Sequence, residues 1–94
     1  MTDGYRVRAQ AAALRVIRND LDEGAALALL AFLQGSLSRR PREVGQPLDR
    51  ALDGIRAAER AACTVIYAVD DEERTVTIVA VEPRRGQERV RPAR

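Results

Sequence analysis

"RAACTVIYAVDDEERTVTIVAVEPRR", residues 60–85, decides the fold of this 94-residue chain. Two runs rich in β-branched residues, 63–70 and 75–82, enclose the acidic segment "DDEER". Runs of that length and composition around a charged turn predict a β-hairpin paired antiparallel. Apolar residues at successive positions predict strands covered on both faces. The acidic segment lacks the ligand spacing of a calcium loop and reads as a solvated turn. Arg60, Arg84 and Arg85 bracket the hairpin, and Cys63 and Thr64 open its first strand. The hairpin could therefore build a core alone or carry a site at one end.

Upstream, Tyr5-Arg-Val-Arg8 alternates in type and predicts a short first strand. Ala9, Ala12, Ala13, Val16 and Ile17 then fall on one side of a helix, with Arg15 and Arg18 on another. Asp20 and Glu23 have the spacing of a capping box for a second helix over about residues 24–37. Its leucines and Phe32 surround nearly the whole circumference, which predicts burial, in the core or against a partner. "RRPREVGQPL" is rich in helix breakers and reads as a connection, and "LDRALDGI" as a helical turn closed by Gly54. "IRAAERA" then predicts an edge strand. The order β-α-α-β-β-β gives an α+β domain, a helical hairpin packed on a small antiparallel sheet.

Residues 1–94 suffice for one domain with a single core and no more. Apolar residues at 46% and charged residues at 32% are a globular balance. All sixteen basic residues are arginine, and abundant alanine beside them suggests a bias toward GC-rich codons. The net charge is only +2, but Arg84, Arg85, Arg89, Arg91 and Arg94 make the end locally positive, with residues 86–94 a candidate flexible basic tail. Such a distribution suits an anionic partner. Cys63 is the single cysteine and fits a buried thiol in a reducing cytoplasm. No apolar stretch is long enough to span a bilayer, so no membrane partner is expected.

Without histidine there is no His-based triad and no imidazole base, and one cysteine makes no thiolate cluster. No glycine-rich phosphate loop follows a strand, and no metal or other cofactor is expected. Arginine remains. If the C-terminal strands are adjacent, Arg56 and Arg60 can meet Arg84 and Arg85 at one side of the sheet, forming a cationic concavity suited to phosphate.

Pro41, Gly45, Pro47, Leu48, Leu52, Gly54, Arg60, Val65, Ile66, Tyr67, Asp70, Val76, Val81 and Arg84 stand in an order that resembles the RelE/ParE superfamily of type II toxins, its RelE-like branch in particular. The resemblance covers nearly the whole chain and implies a single toxin domain over residues 1–94. It implies a cytoplasmic bacterial protein that enters the ribosomal A site and cleaves mRNA, held inactive by a cognate antitoxin, as a heterotetramer with it or as a homodimer. In that reaction a ribose 2′-oxygen attacks the adjacent phosphate, so charge on the phosphoryl oxygens must be stabilised and a proton moved.

Carried onto this chain, the resemblance makes Arg60, Arg84 and Glu88 the catalytic candidates, with Glu88 as general base, and Arg56, Arg85 and Arg89 the RNA-binding ones. The family's Tyr-Arg before Val-Ile-Tyr is Cys63-Thr64 here, its Gly is Ala61, and Gln87-Glu88-Arg89 stands where a tyrosine is usual. The expected activity is therefore weak or substrate-restricted RNA cleavage. A catalytically inactive RelE-fold binding protein and a ParE-like gyrase inhibitor are the alternatives.

Overall fold

The computed structural model describes residues 4–48, 54–60 and 62–83. The helical turn expected within residues 48–55 falls mostly outside them, as do Arg84, Arg85, Glu88 and Arg89. Among the described residues the order is β1 (Arg6–Ala9), α1 (Ala11–Asn19), α2 (Glu23–Phe32), β2 (Gln46–Pro47), β3 (Ile55–Arg60), β4 (Cys63–Asp70) and β5 (Thr75–Pro83). The helices pack on a five-stranded sheet of order β1-β5-β4-β3-β2.

The sheet is mixed rather than wholly antiparallel. β1 runs parallel to β5, with Val7 opposite Val76 and Arg8 opposite Thr77, because the helical hairpin carries the chain from one sheet edge to the other before β3 begins. β3, expected at the edge, has β2 outside it, pairing Gln46 with Ala57 and Pro47 with Arg56. Two residues, one of them a proline that cannot donate to the ladder, leave no periodicity for a sequence reading to detect.

β4 and β5 pair antiparallel as expected, but helices cover only one face. Along β4, Cys63, Val65, Tyr67 and Val69 are buried, whereas Thr64, Ile66 and Ala68 are half-buried on the other side. β5 carries a bulge: Ile66 faces Ala80 and Tyr67 faces Ile78, so Val79 is the extra residue. The bulge shifts the alternation and lets Ile78 and Val81, three apart, both enter the core.

α1 contributes Ala13 and Ile17 to that core, one helical turn apart. Asp22, not Asp20, caps α2, its carboxylate accepting from the Ala25 amide at 2.7 Å. Leu21 is buried between the helices, and Asp20 ends α1. That displaces the cap by two residues and puts Glu23 in the first turn, where a negative charge suits the helix dipole. α2 continues into a π-helical turn, Leu33–Leu37, that buries both end residues. Of the two expected placements, core or partner, the core takes only part of the apolar surface: Leu27 is 60% exposed and Leu30 38%. No helix among the described residues is long and apolar enough to cross a membrane.

Candidate nucleic-acid interface

The two sheet faces divide the residues singled out in the sequence. Arg56, Ala58 and Arg60 of β3 are in register with Tyr67, Val65 and Cys63 of β4, whose side chains are buried beneath the helices. Arg56 and Arg60 therefore belong to the helix side. Cys63 lies there too, fully buried, and its thiol pKa is pushed up first by burial and then by the Asp22 charge. A neutral, inaccessible thiol is no nucleophile.

Arg56 is built into the scaffold. One of its terminal nitrogens donates to the carbonyls of Arg42 and Gly45, each at 2.7 Å. Across the ladder from it, the Tyr67 hydroxyl donates to the Pro41 carbonyl at 2.7 Å. Burial raises the Tyr67 pKa, so the phenol stays protonated and keeps donating. A β-carbon at Gly45 would meet the Tyr67 hydroxyl and approach the Ala57 carbonyl to 2.7 Å. The proline, glycine and tyrosine of the sequence pattern thus anchor residues 41–48 against β3. Arg60 is exposed at the end of β3, with its guanidinium carbon 5.0 Å from the centroid of the Phe32 ring.

Thr64 faces the other way. Glu59, Thr64 and Glu82 form one row across β3, β4 and β5 on the open face. Adjacent strands are about 4.8 Å apart, so the outer two backbones are separated by roughly 10 Å. Around this row the open face is a floor of mostly small residues, Ala57, Ala68, Thr77 and Ala80, with the larger Ile66 among them, all half-buried. Arg6 and Arg8 stand exposed at its far edge on β1, in register with Thr75 and Thr77.

A pocket of about 470 Å³ opens beside Thr64, walled by Gln46, Pro47, Leu48, Ala57 and Glu59. A larger groove, about 710 Å³, lies toward the opposite end of the sheet and includes Tyr5, Arg6, Arg39 and Arg74. There the Tyr5 hydroxyl donates to Asp71 at 2.7 Å, and Arg42 forms an ion pair with Asp71 at 2.9 Å. Arg42, and then Tyr5, hold the Asp71 carboxyl below its usual value, and the same hydrogen bond raises the Tyr5 phenol. Arg74 covers the Tyr5 ring at 4.4 Å.

Over 90 residues, 96% of this chain, the sequence is 34% identical to Toxin RelE of Mycobacterium tuberculosis, and the match spans 92% of that protein. The chain belongs to the RelE toxin family. Toxin RelG of the same organism, also similar, is 44% identical over 57 residues, 61% of this chain and 66% of RelG. The RelE-type fold matches a chain of the toxin–antitoxin complex RelBE2 from M. tuberculosis with a TM-score of 0.79 and 37% identity, over 89% of this chain and 95% of that one. No family model matches.

On this RelE-type sheet, Glu59 and Gln46 escaped the sequence reading. Strand alternation places Glu59 with Thr64 only once the register between β3 and β4 is known, and that register is set by the tight connection through Ala62. Asp70, by contrast, behaves as a turn residue: its carboxylate accepts from the amides of Glu72 and Glu73 at 3.0 and 3.1 Å.

Proposed function

We propose that this RelE-family toxin binds mRNA in the ribosomal A site through its open sheet face and cleaves it weakly or at restricted sequences. The observation that carries this reading is the open face itself, a floor of mostly small residues with Arg6 and Arg8 at one edge and Thr64 at the opposite end. Single-stranded nucleic acid is bound on such surfaces by cations along the backbone and by contacts to splayed bases.

Pro83 is in register with Cys63, which is in register with Arg60, so Arg84 follows in the chain from the end of the sheet that carries Thr64. Arg84 is the proposed partner of the reacting phosphate, with Glu88 as base and Arg85 and Arg89 on the RNA backbone. Arg60, tethered over Phe32 on the helix side, adds charge at the rim of the site. Arg56 serves by fixing the 41–48 segment. Where the family resemblance puts an arginine, Thr64 stands between two carboxylates. Loss of one transition-state donor typically costs about two to three orders of magnitude in rate, which supports weak cleavage.

Primer extension on translating ribosomes tests the reading. Wild-type protein is expected to give A-site cleavage products that Arg84→Ala abolishes. Binding to ribosomes that weakens with salt but yields no product would favour a non-catalytic module, the reading that the Glu59-Thr64-Glu82 row supports. The cognate antitoxin is proposed to cover the apolar surface around Leu14, Leu27 and Leu30, beside a groove that includes Val7 and Ile17. The similar RelBE2 structure is itself a toxin–antitoxin complex. Leu27→Asp should weaken antitoxin capture while leaving the isolated toxin folded, and unchanged capture would remove that surface from the interface.

A further inference from the structure

We propose that the groove at the turn end of the sheet binds a phosphomonoester dianion, the terminal phosphate of a free nucleotide or of an RNA 5′ end, through Arg6 and Arg39. The groove, about 710 Å³, includes Tyr5, Gln34, Ser38 and Arg74 beside those two arginines. It is remote from the end of the sheet proposed for cleavage. Arg6 is in register with Thr75, whereas Pro83 lies at the other end of β5, roughly 25 Å away at about 3.3 Å per residue. Binding in the groove therefore does not presuppose the RNA reading above.

The walls are held by main-chain bonds. The Tyr5 amide donates to the Ser38 carbonyl at 2.7 Å, and the Ser38 hydroxyl donates to the Tyr5 carbonyl at 2.7 Å, so β1 is joined to the end of the helical hairpin. The Arg6 amide donates to the Arg74 carbonyl at 2.8 Å, which fixes β1 against the β4–β5 turn. Gly4 passes so close that a β-carbon there would come to 2.7 Å from the Ser38 hydroxyl. Arg6 and Arg39 thus stand on either side of a preformed groove, both exposed.

The charges lining the groove are the guanidinia of Arg6, Arg39 and Arg74 and the carboxylate of Glu73. Counting Arg74, which covers the Tyr5 ring, against Glu73 leaves the charges of Arg6 and Arg39. Among the described residues neither of these two forms an ion pair. The nearby Asp71 carboxylate is already engaged by Arg42 and by the Tyr5 hydroxyl. Two guanidinia match a group of charge near −2. A phosphomonoester carries about −1.5 to −2 at pH 7, with three acceptor oxygens that can take forked bonds from both arginines. A phosphate within a strand carries a single charge, and strands bind along open tracks, whereas a concave groove suits a small molecule or a chain end. Arg6 also stands at the corner shared with the open face, so an occupied groove withdraws one of that face's two edge arginines.

Two titrations test the proposal. Uridine 5′-monophosphate or uridine is added to isotope-labelled protein while the amides of Tyr5, Arg6 and Arg39 are followed by NMR. Fluorescence anisotropy then compares 3′-labelled uridine pentamers that carry a 5′-phosphate or a 5′-hydroxyl. The nucleotide is expected to shift those amides and the nucleoside to leave them in place, and the phosphorylated pentamer to bind at least about tenfold more tightly, the scale of one charge-assisted hydrogen bond. Arg39→Ala should abolish both effects without changing the affinity of the hydroxyl pentamer, and Arg39→Lys should restore part of them, since a point charge remains without the fork. A phosphate effect with the mononucleotide assigns the groove to free nucleotides, and one seen with the pentamer alone assigns it to RNA ends. Equal affinity of the two pentamers together with unmoved amides would overturn the proposal, as would a phosphate advantage that survives Arg39→Ala. Nucleotide shifts without binding of either pentamer would uphold the groove and overturn the RNA reading instead.

Discussion

Ala62 joins β3 to β4 with a φ of 65°, a left-handed conformation that costs an L-residue roughly 1–2 kcal/mol. The resemblance places a family glycine at the neighbouring Ala61, and the register that puts Thr64 and Glu59 on one face depends on the joint at Ala62. Ala62→Gly should therefore stabilise the fold by up to about 1 kcal/mol, since relief of strain outweighs the added freedom of the unfolded chain. In a domain of this size that is a rise of a few degrees in melting temperature, and a fall would show that the turn is not strained. Tyr67→Phe tests the opposite face: it strands the Pro41 carbonyl in a buried place and should cost about 1–3 kcal/mol by chemical denaturation. Cys63 was legible as a core thiol from its apolar neighbours. With its pKa raised by burial, it should react with a disulfide reagent only as fast as the protein unfolds, and rapid native labelling would contradict the packing.

At the scale of elements, the β4–β5 hairpin was readable to within a residue at its ends, though not in its bulge or its one-sided cover, because both strands are β-branched and the turn between them is charged. Helix positions were nearly as legible, but their caps and burial were not. The Asp20/Glu23 spacing is satisfied in the sequence, yet burial of Leu21 between the helices moves the cap to Asp22. The brace between the β4–β5 turn, β1 and the 41–48 segment was invisible, because Tyr5, Arg42 and Asp71 are distant in sequence and meet only in three dimensions. Asp71 titrates below its usual value because of Arg42, so the stabilisation it contributes is present above its unfolded pKa and is lost as pH falls through the folded one. Arg42→Ala should return the Asp71 carboxyl toward the ordinary range in an NMR titration and remove that part of the acid sensitivity. Tyr5→Phe should move it in the same direction by a smaller step, and an unmoved carboxyl in both variants would dissolve the brace.

For the whole molecule, the consequence of the fold is a separation of duties between the two sheet faces. Arg60 on the helix side stacks on Phe32, an exposed cation–π contact worth about 0.5–1 kcal/mol. Arg60→Ala should cost no more stability than that, and should reduce growth inhibition less than Arg84→Ala. Equal loss of toxicity in the two variants would give Arg60 a direct place at the phosphate. The chain alone determined that a helical hairpin and a β-meander would form and that no imidazole chemistry was available. Local periodicity and residue chemistry carry that information within a few neighbouring positions. Which face each arginine, carboxylate and threonine occupies was decided only by tertiary structure. Strand register, the Val79 bulge and the parallel docking of β1 are set by contacts between residues far apart in the chain, and a shift of one residue would exchange the contents of the two faces.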